Sequence, residues 1–245
     1  MYFNVQGIVI KEKAFSESSK HLTVLTQHRG VLYVTAKGVR KLSSKSFALS
    51  QLFACSDITL YGNGPTYTLT DGKLIENFYN LRNDAAILSL ACYFCDVAAA
   101  VSTVTDEETE QYRLLLNTLW LLQSKPELSI FIKAVFELRI MFGIGYLPEF
   151  NCSECGNEIF EGYFNGESGE MFCNNCIPQN TYCFGTLNKE IVRTLKHIAI
   201  SDLKKLYSFT VTDDILKQLS TLAEKYLCYR IENCHNSLNY YKSIL

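Results

Sequence analysis

A chain of 245 residues, 48% hydrophobic and 20% charged, has the composition of an ordinary globular protein with material for a sizeable core, which sets disorder aside. Its net charge of −2 conceals an asymmetry: residues 1–50 carry eight Lys or Arg against Glu12 and Glu17, whereas residues 51–110 carry nine acids against Lys73 and Arg82. A basic end on a near-neutral chain can present a local anion-binding face while the rest stays soluble. No run of about eighteen apolar residues occurs, and no basic segment followed by an apolar core opens the chain, so no membrane partner and a cytoplasmic location are expected.

Residues 1–80 read as strands. Val5–Ile10 opens one, His21–Thr26 alternates apolar and polar residues, and Gly30–Thr35 follows a short Gln-His-Arg-Gly turn. Ile58–Tyr61 and Tyr67–Thr70 are joined by Gly62-Asn-Gly-Pro65, a hairpin signal. Five short strands predict a small closed barrel of OB type, because an open sheet of that size would leave its edges unpaired.

Between the third and fourth strands, Lys37, Arg40, Lys41 and Lys45 stand among Gly38 and three serines. Such a connector offers charge, hydroxyl donors and a mobile backbone to phosphate oxygens. The plainer reading is a solvated charged loop. Its place on an OB barrel, a fold that holds single strands against cationic loops and aromatic faces, favours a clamp on a nucleic-acid backbone. Lys11, Lys20 and Arg29 are candidates to extend that surface. Phe15, Tyr33 and Phe47 are candidate stacking side chains, although core positions are expected for them because aromatics in a small barrel mostly fill its interior.

After residue 80 the period becomes helical. Asp84 is placed to cap a helix over 85–100, Thr105 precedes an acidic first turn leading into Tyr112–Leu122, and Ser129–Gly143 carries enough apolar positions to be largely buried. Gly143, Gly145 and Pro148 end that helix. A last helical region is expected from Leu187 to the carboxyl terminus, with Val211, Ile215, Leu219, Leu222 and Tyr226 as its core stripe.

Cys152-Ser-Glu-Cys155 and Cys173-Asn-Asn-Cys176 are separated by seventeen residues, the spacing of a four-thiolate zinc site in which each short turn delivers two sulfurs. Gly156 suits a tight knuckle. Four thiolates close the coordination shell, so one structural Zn2+ is expected rather than a catalytic one. Four reduced thiols in a loop, or two disulfides in a secreted protein, are the alternatives. The ten cysteines of the chain then divide into four ligands and six reduced thiols. Cys92-Tyr-Phe-Cys95 lies inside a helical run flanked by alanine and leucine, where cysteine packs as a small apolar residue. No glycine-rich phosphate loop, Gly-x-Ser-x-Gly or His-Glu-x-x-His occurs, and none of the four histidines is paired in sequence with a nucleophile. Catalysis has no support in these motifs, and a non-enzymatic protein is expected.

Gly7–Ile10, Thr35–Arg40, Phe136-Glu-Leu-Arg139 with Gly145-Tyr-Leu-Pro148, and the Cys152 to Cys176 knuckle together resemble the RecO family of bacterial recombination mediators, in order along nearly the whole chain. The resemblance implies an α+β architecture: an OB-fold nucleic-acid-binding domain over 1–80, then a helical domain over 81–245 with a zinc module at about 148–184. It also implies a role in the RecF pathway of DNA repair. Members bind single- and double-stranded DNA, anneal complementary strands, and work with RecR and single-stranded-DNA-binding protein so that RecA can load, a nucleoid-associated task in the cytoplasm. Cys152, Cys155, Cys173 and Cys176 fall on the family's metal positions, and the Lys37–Lys45 cluster falls where its barrel loop is basic. The mild overall acidity departs from a uniformly basic DNA binder, so DNA affinity would rest on one patch. A zinc-containing interaction adaptor, in which the basic loop meets an acidic partner, and a zinc-bearing nucleic-acid enzyme are the rival readings.

Overall fold

The computed structural model describes residues 1–104, 109–177, 185–231 and 235–244. The chain divides into two compact units, Met1–Gln123 with Asn239–Leu245, and Ser124–Leu238.

In the first unit five strands, β1 (Tyr2–Ala14), β2 (Lys20–Thr26), β3 (Val31–Ala36), β4 (Cys55–Tyr61) and β5 (Tyr67–Glu76), close into a barrel in the order β1-β2-β3-β5-β4. Neighbours are antiparallel except β3 and β5, which run parallel through Val34 opposite Tyr67 and Thr35 opposite Thr68. That is the expected OB-type barrel, with β1 and β5 longer than their apolar runs suggest. Val5, Val9, Leu22, Val24, Val34, Ala36, Ile58, Leu60 and Leu69 fill it. Gly7 lies where a β-carbon would come 2.6 Å from Val24 Cγ1, so only a residue without one lets β1 approach β2 this closely.

A bulge interrupts β1. Val9 faces Val24 and Lys11 faces the next residue back, Thr23, so Ile10 is the extra residue. Without it the inward set Val5, Gly7, Val9 would continue to Lys11 and Lys13. The insertion re-phases the strand and turns both lysines outward.

Two helices belong to the same unit, α1 (Ala85–Ala100) and α2 (Glu110–Ser124). Asp84 caps α1 as expected: its Oδ1 accepts from the Ile87 N–H at 2.9 Å. The expected start of α2 at Thr105 lies outside the described residues. Cys95 is fully buried and Cys92 half-buried in α1, and burial pushes both thiols up, Cys92 to about 11, the reverse of an activated redox pair. Arg82 donates to the Leu52 carbonyl with the Phe53 ring beneath its guanidinium, tying the chain after the barrel back to the barrel.

The second unit is built on α3 (Ser129–Gly143), packed against α4 (Lys189–Ile200) and α5 (Asp213–Arg230); the last helix, α6 (His235–Ile244), belongs to the first unit from Asn239 onward. The single carboxy-terminal helical region expected from Leu187 is therefore corrected. Leu187 ends a short strand, and residues 201–212 are not helical. Physically, that connector carries its own anchors: Phe209 packs edge-on against Phe131 and His197, and Leu206 is fully buried. Val211 stands outside the helix, while Ile215, Leu219, Leu222 and Tyr226 form its buried stripe.

Within α3, Lys133 is 4% exposed and Glu137 0%. The ammonium lies 2.8 Å from Glu137 and 2.9 Å from Glu224 of α5. Burial alone would lower the Lys133 pKa, but the two carboxylates outweigh it and the net direction is up, so the lysine is charged at neutral pH. Arg139 donates to the Ile198 and Ala199 carbonyls at 2.7 and 2.6 Å, satisfying the last turn of α4. Replacing Lys133 with Met removes the cation between two carboxylates and is expected to destabilise the chain by about 3–5 kcal/mol, read from denaturant unfolding. A loss below 1 kcal/mol would mean the carboxylates are solvated.

Candidate nucleic-acid interface and metal centre

The cations predicted from sequence do not all come together. Lys37, Arg40, Lys41 and Lys45 are exposed in the connector after β3. This connector is anchored, not loose. Val39 is 1% exposed and plugs into the barrel core, and Arg40 braces the neighbouring β1–β2 loop, its backbone N–H donating to Ser18 O at 3.1 Å and its Nη1 to Ser16 O at 2.6 Å. Among the described residues Lys37, Lys41 and Lys45 make no ion pair.

Lys11 points outward from β1 and pairs with Asp96 of α1 at 2.8 Å, although its side chain stays 63% exposed. Lys20 points toward the barrel end, held by Glu12 at 2.7 Å and the Ser50 carbonyl at 3.3 Å. Arg29 lies in the β2–β3 turn, at the other end of those strands from the connector, with its guanidinium 4.8 Å from the Phe3 ring centre. Lys13, which sequence reasoning omitted, shares a row with His21 and Thr35, at the end of β3 from which the connector carrying Lys37, Arg40, Lys41 and Lys45 departs. The bulge that turns Lys13 outward has no sequence signal beyond an apolar run one residue too long.

Two of the aromatics differ from expectation. Phe15 and Tyr33 are 61% and 60% exposed, not core, and Phe47 is half-buried. Their reason is register: Thr23 pairs with Tyr33 and His21 with Thr35, while Leu22, Val24, Val34 and Ala36 take the inward positions.

In the second unit the four cysteines converge. The segment after α3 forms a three-stranded sheet in the order β7 (Glu170–Phe172), β6 (Gly162–Asn165), β8 (Gly185–Leu187). Cys152 lies alongside Met171 through a bridge, and the N–H of Gly156 donates to Cys152 O at 2.8 Å, with Gly156 at φ 71° as its knuckle turn requires. Cys176 N–H donates to Cys173 O at 3.1 Å, closing the second knuckle. All four Sγ atoms lie within 4.8 Å of one another. A tetrahedral zinc–thiolate shell needs sulfur pairs about 3.8 Å apart, and Cys155 and Cys173 stand 3.9 Å apart. Burial pushes the Cys152 thiol up, but amides of Cys155, Cys173 and Glu154 bring it down to about 6, whereas hydrogen bonds to the sulfurs of Cys173 and Cys155 push Cys176 up to about 12; a bound cation would take all four as thiolates. The donor set therefore fits one metal ion. Residues 178–184 of the expected module lie outside the described residues.

The module is held to its own unit by side chains that no motif announces. Tyr226 of α5 packs edge-on against Phe164 of β6 and donates to Tyr146 O at 2.8 Å. Arg230 donates to Glu167 O and lies 4.5 Å from the Tyr146 ring centre. Lys196 of α4 pairs with Glu158 beneath the Phe150 and Phe160 rings.

An OB barrel with a cationic end, joined in one chain to a helical unit carrying a four-cysteine metal module, defines the class. Comparison with known proteins agrees. The family described as Recombination protein O N terminal matches residues 1–78, and Recombination protein O C terminal matches residues 82–239. Similar proteins named DNA repair protein RecO include those of Acetivibrio thermocellus, 28% identical over 245 residues covering 99% of this chain and 97% of that one, and Alkaliphilus metalliredigens, 26% identical over 248 residues covering all of both. Another from Dehalococcoides mccartyi is 28% identical over 220 residues, 89% of this chain and 86% of that one. The chain belongs to the RecO family of DNA repair proteins.

The purified chain is expected to bind about one equivalent of metal by elemental analysis, and Cys173→Ser to lose it with a lower unfolding temperature. Full metal content in that variant would remove these four residues as the site.

Proposed function

We propose that this chain is a DNA-binding recombination mediator of the RecF pathway, which binds and anneals strands and helps RecA load onto single-stranded DNA coated by its binding protein. The observation that supports it best is that Lys37, Arg40, Lys41 and Lys45 are exposed in one connector that Val39 and Arg40 anchor to an OB barrel, with Lys13 in the outward row that ends at Thr35, just before that connector. A fixed row of cations lowers the repulsion between two phosphate backbones, and pairing then needs no covalent chemistry, so the reading is non-enzymatic. The metal is proposed to be Zn2+. The fourfold cysteine set suits it, and closed thiolate coordination gives it the structural task of stiffening a module with few apolar residues of its own.

No described helix is long and apolar enough to cross a membrane, and a cytoplasmic, nucleoid-associated location follows from the DNA reading. RecR and single-stranded-DNA-binding protein are the proposed partners. Both rest on family membership, and a pull-down from purified components that stays empty for both would remove them.

The test of the DNA reading is a salt titration of single-strand binding. If about four to six phosphates are neutralised, log affinity against log salt should have a slope near −3 to −4. Changing Lys37, Lys41 and Lys45 to Glu, while sparing Arg40 because it braces the β1–β2 loop, is expected to flatten the slope and weaken binding. Unchanged binding would place DNA elsewhere, and no binding at low salt would favour the adaptor.

A further inference from the structure

We propose that the acidic metal module of one chain docks the cationic connector of a second copy, so that self-association and DNA compete for the same lysines. The competition rests on the DNA reading above; the docking does not.

Charge marks the module first. Residues 140–188 carry six glutamates and no aspartate, lysine, arginine or histidine. All six, Glu149, Glu154, Glu158, Glu161, Glu167 and Glu170, are exposed. Lys196 of α4 reaches the module but is already paired with Glu158. Among the described residues Glu149, Glu154, Glu161 and Glu170 are in no ion pair. Four thiolates outweigh a divalent ion, so filling the metal site leaves the sign unchanged.

An apolar centre lies among these carboxylates. Asn151 faces Glu158 across an antiparallel bridge, and the Ile159 N–H donates to Phe150 O at 3.0 Å, a register that sets Phe160 opposite Glu149. The Phe160 ring is 55% exposed, with Glu161 next in the chain and the Lys196 ammonium 5.8 Å from its centre. Like charges held on one small module repel one another, and an arriving cation relieves that repulsion.

The connector supplies the converse. Its tip carries Leu42, 83% exposed, on a turn closed by the Ser44 N–H donating to Lys41 O at 2.9 Å. Lys37, Lys41 and Lys45 stand around it, in no ion pair among the described residues. A clamp on phosphates has no use for a leucine at its tip, whereas an exposed ring rimmed by carboxylates accepts both that leucine and the lysines beside it. Anchoring by Val39 and Arg40 keeps the cost of ordering the loop low. One loop on one ribbon is smaller than the roughly 1,200 Å² of a stable complex, so the contact is weak and salt-sensitive. Its two surfaces differ, so it is heterologous and assemblies can grow beyond two chains.

The test is the mass of the full chain in solution, by sedimentation equilibrium up to about 0.5 mM chain in low and high salt. In low salt the weight-average mass is expected to rise with concentration above 27.9 kDa, and in high salt to return to it. Lys41→Glu with Lys45→Glu, and separately Glu149→Lys with Glu161→Lys, are each expected to stay single, with metal content and unfolding temperature matching wild type. Mixed in equal amounts they are expected to associate again, because the first keeps its module and the second its connector. Leu42→Ser removes no charge and is expected to weaken association about fivefold without moving the DNA salt slope. A wild type at one chain's mass throughout, a charge variant that still associates, a mixture that does not, or full association of Leu42→Ser would each overturn the docking. A short single strand of about six phosphates is expected to return wild type to one chain's mass, and an unchanged mass with the strand bound would overturn the competition. If the lysine-to-glutamate variant loses DNA while wild type is single at every concentration, the DNA reading stands and the docking falls. If the mixture associates while that variant binds DNA normally, the docking stands and the connector does not hold DNA.

Discussion

One inserted residue governs the surface of the barrel. Ile10 adds a step to β1 that β2 lacks, and everything carboxy-terminal to it changes face. Lys11 and Lys13 move out of the interior, and Glu12 moves to the side where it meets Lys20. β1 serves its two neighbours in turn, pairing with β4 over Tyr2–Ile8 and with β2 over Gly7–Ala14, so the bulge re-phases only the half that meets β2. The parallel contact of β3 with β5 is the shortest of the five, and it is the longer ladder with β2 that sets Tyr33 opposite Thr23 on the outer side. The chemistry of the outer face is therefore decided by backbone pairing before any side chain there meets a ligand.

The metal module follows a different logic. Strands of three or four residues bury too little apolar surface to hold a sheet together unaided. Phe164, Met171 and Phe172 supply a small core, and the four sulfurs are placed so that one metal ion could cross-link the two turns. Lys196, Tyr226 and Arg230 then bind the module to helices of its own unit through carbonyls and ring faces, contacts that depend on where loops end and not on any sequence period.

That difference explains what could be read from the sequence. The five barrel strands, the capping aspartate Asp84, α3 and the four cysteines each leave a local signal: alternation, a capping residue, a long apolar run, a spacing. Other features arise only from tertiary pairing. The three-residue strand Gly185–Leu187 is too short to show a period, and the break after Ile200 is set by Phe209 finding Phe131 and His197. Phe15 and Tyr33 were expected inside because aromatic residues ordinarily go there, and only the register shows that the barrel interior is already filled by aliphatic side chains. Lys20 and Arg29 carry the same charge as Lys37, yet their direction and position along the barrel are invisible in a count of cations.

The buried ammonium of Lys133 has a mechanical consequence for the second unit. Helices that meet through aliphatic side chains alone tolerate sliding past one another, since one leucine replaces another at the contact. A slip of one turn, about 5.4 Å, would carry Lys133 from Glu224 to Ser220 or Cys228. Neither bears a charge, and an ammonium this deeply enclosed would lose one of its two counterions. The triad thus acts as a detent between α3 and α5, penalising sliding with a charge term where the surrounding side chains would yield.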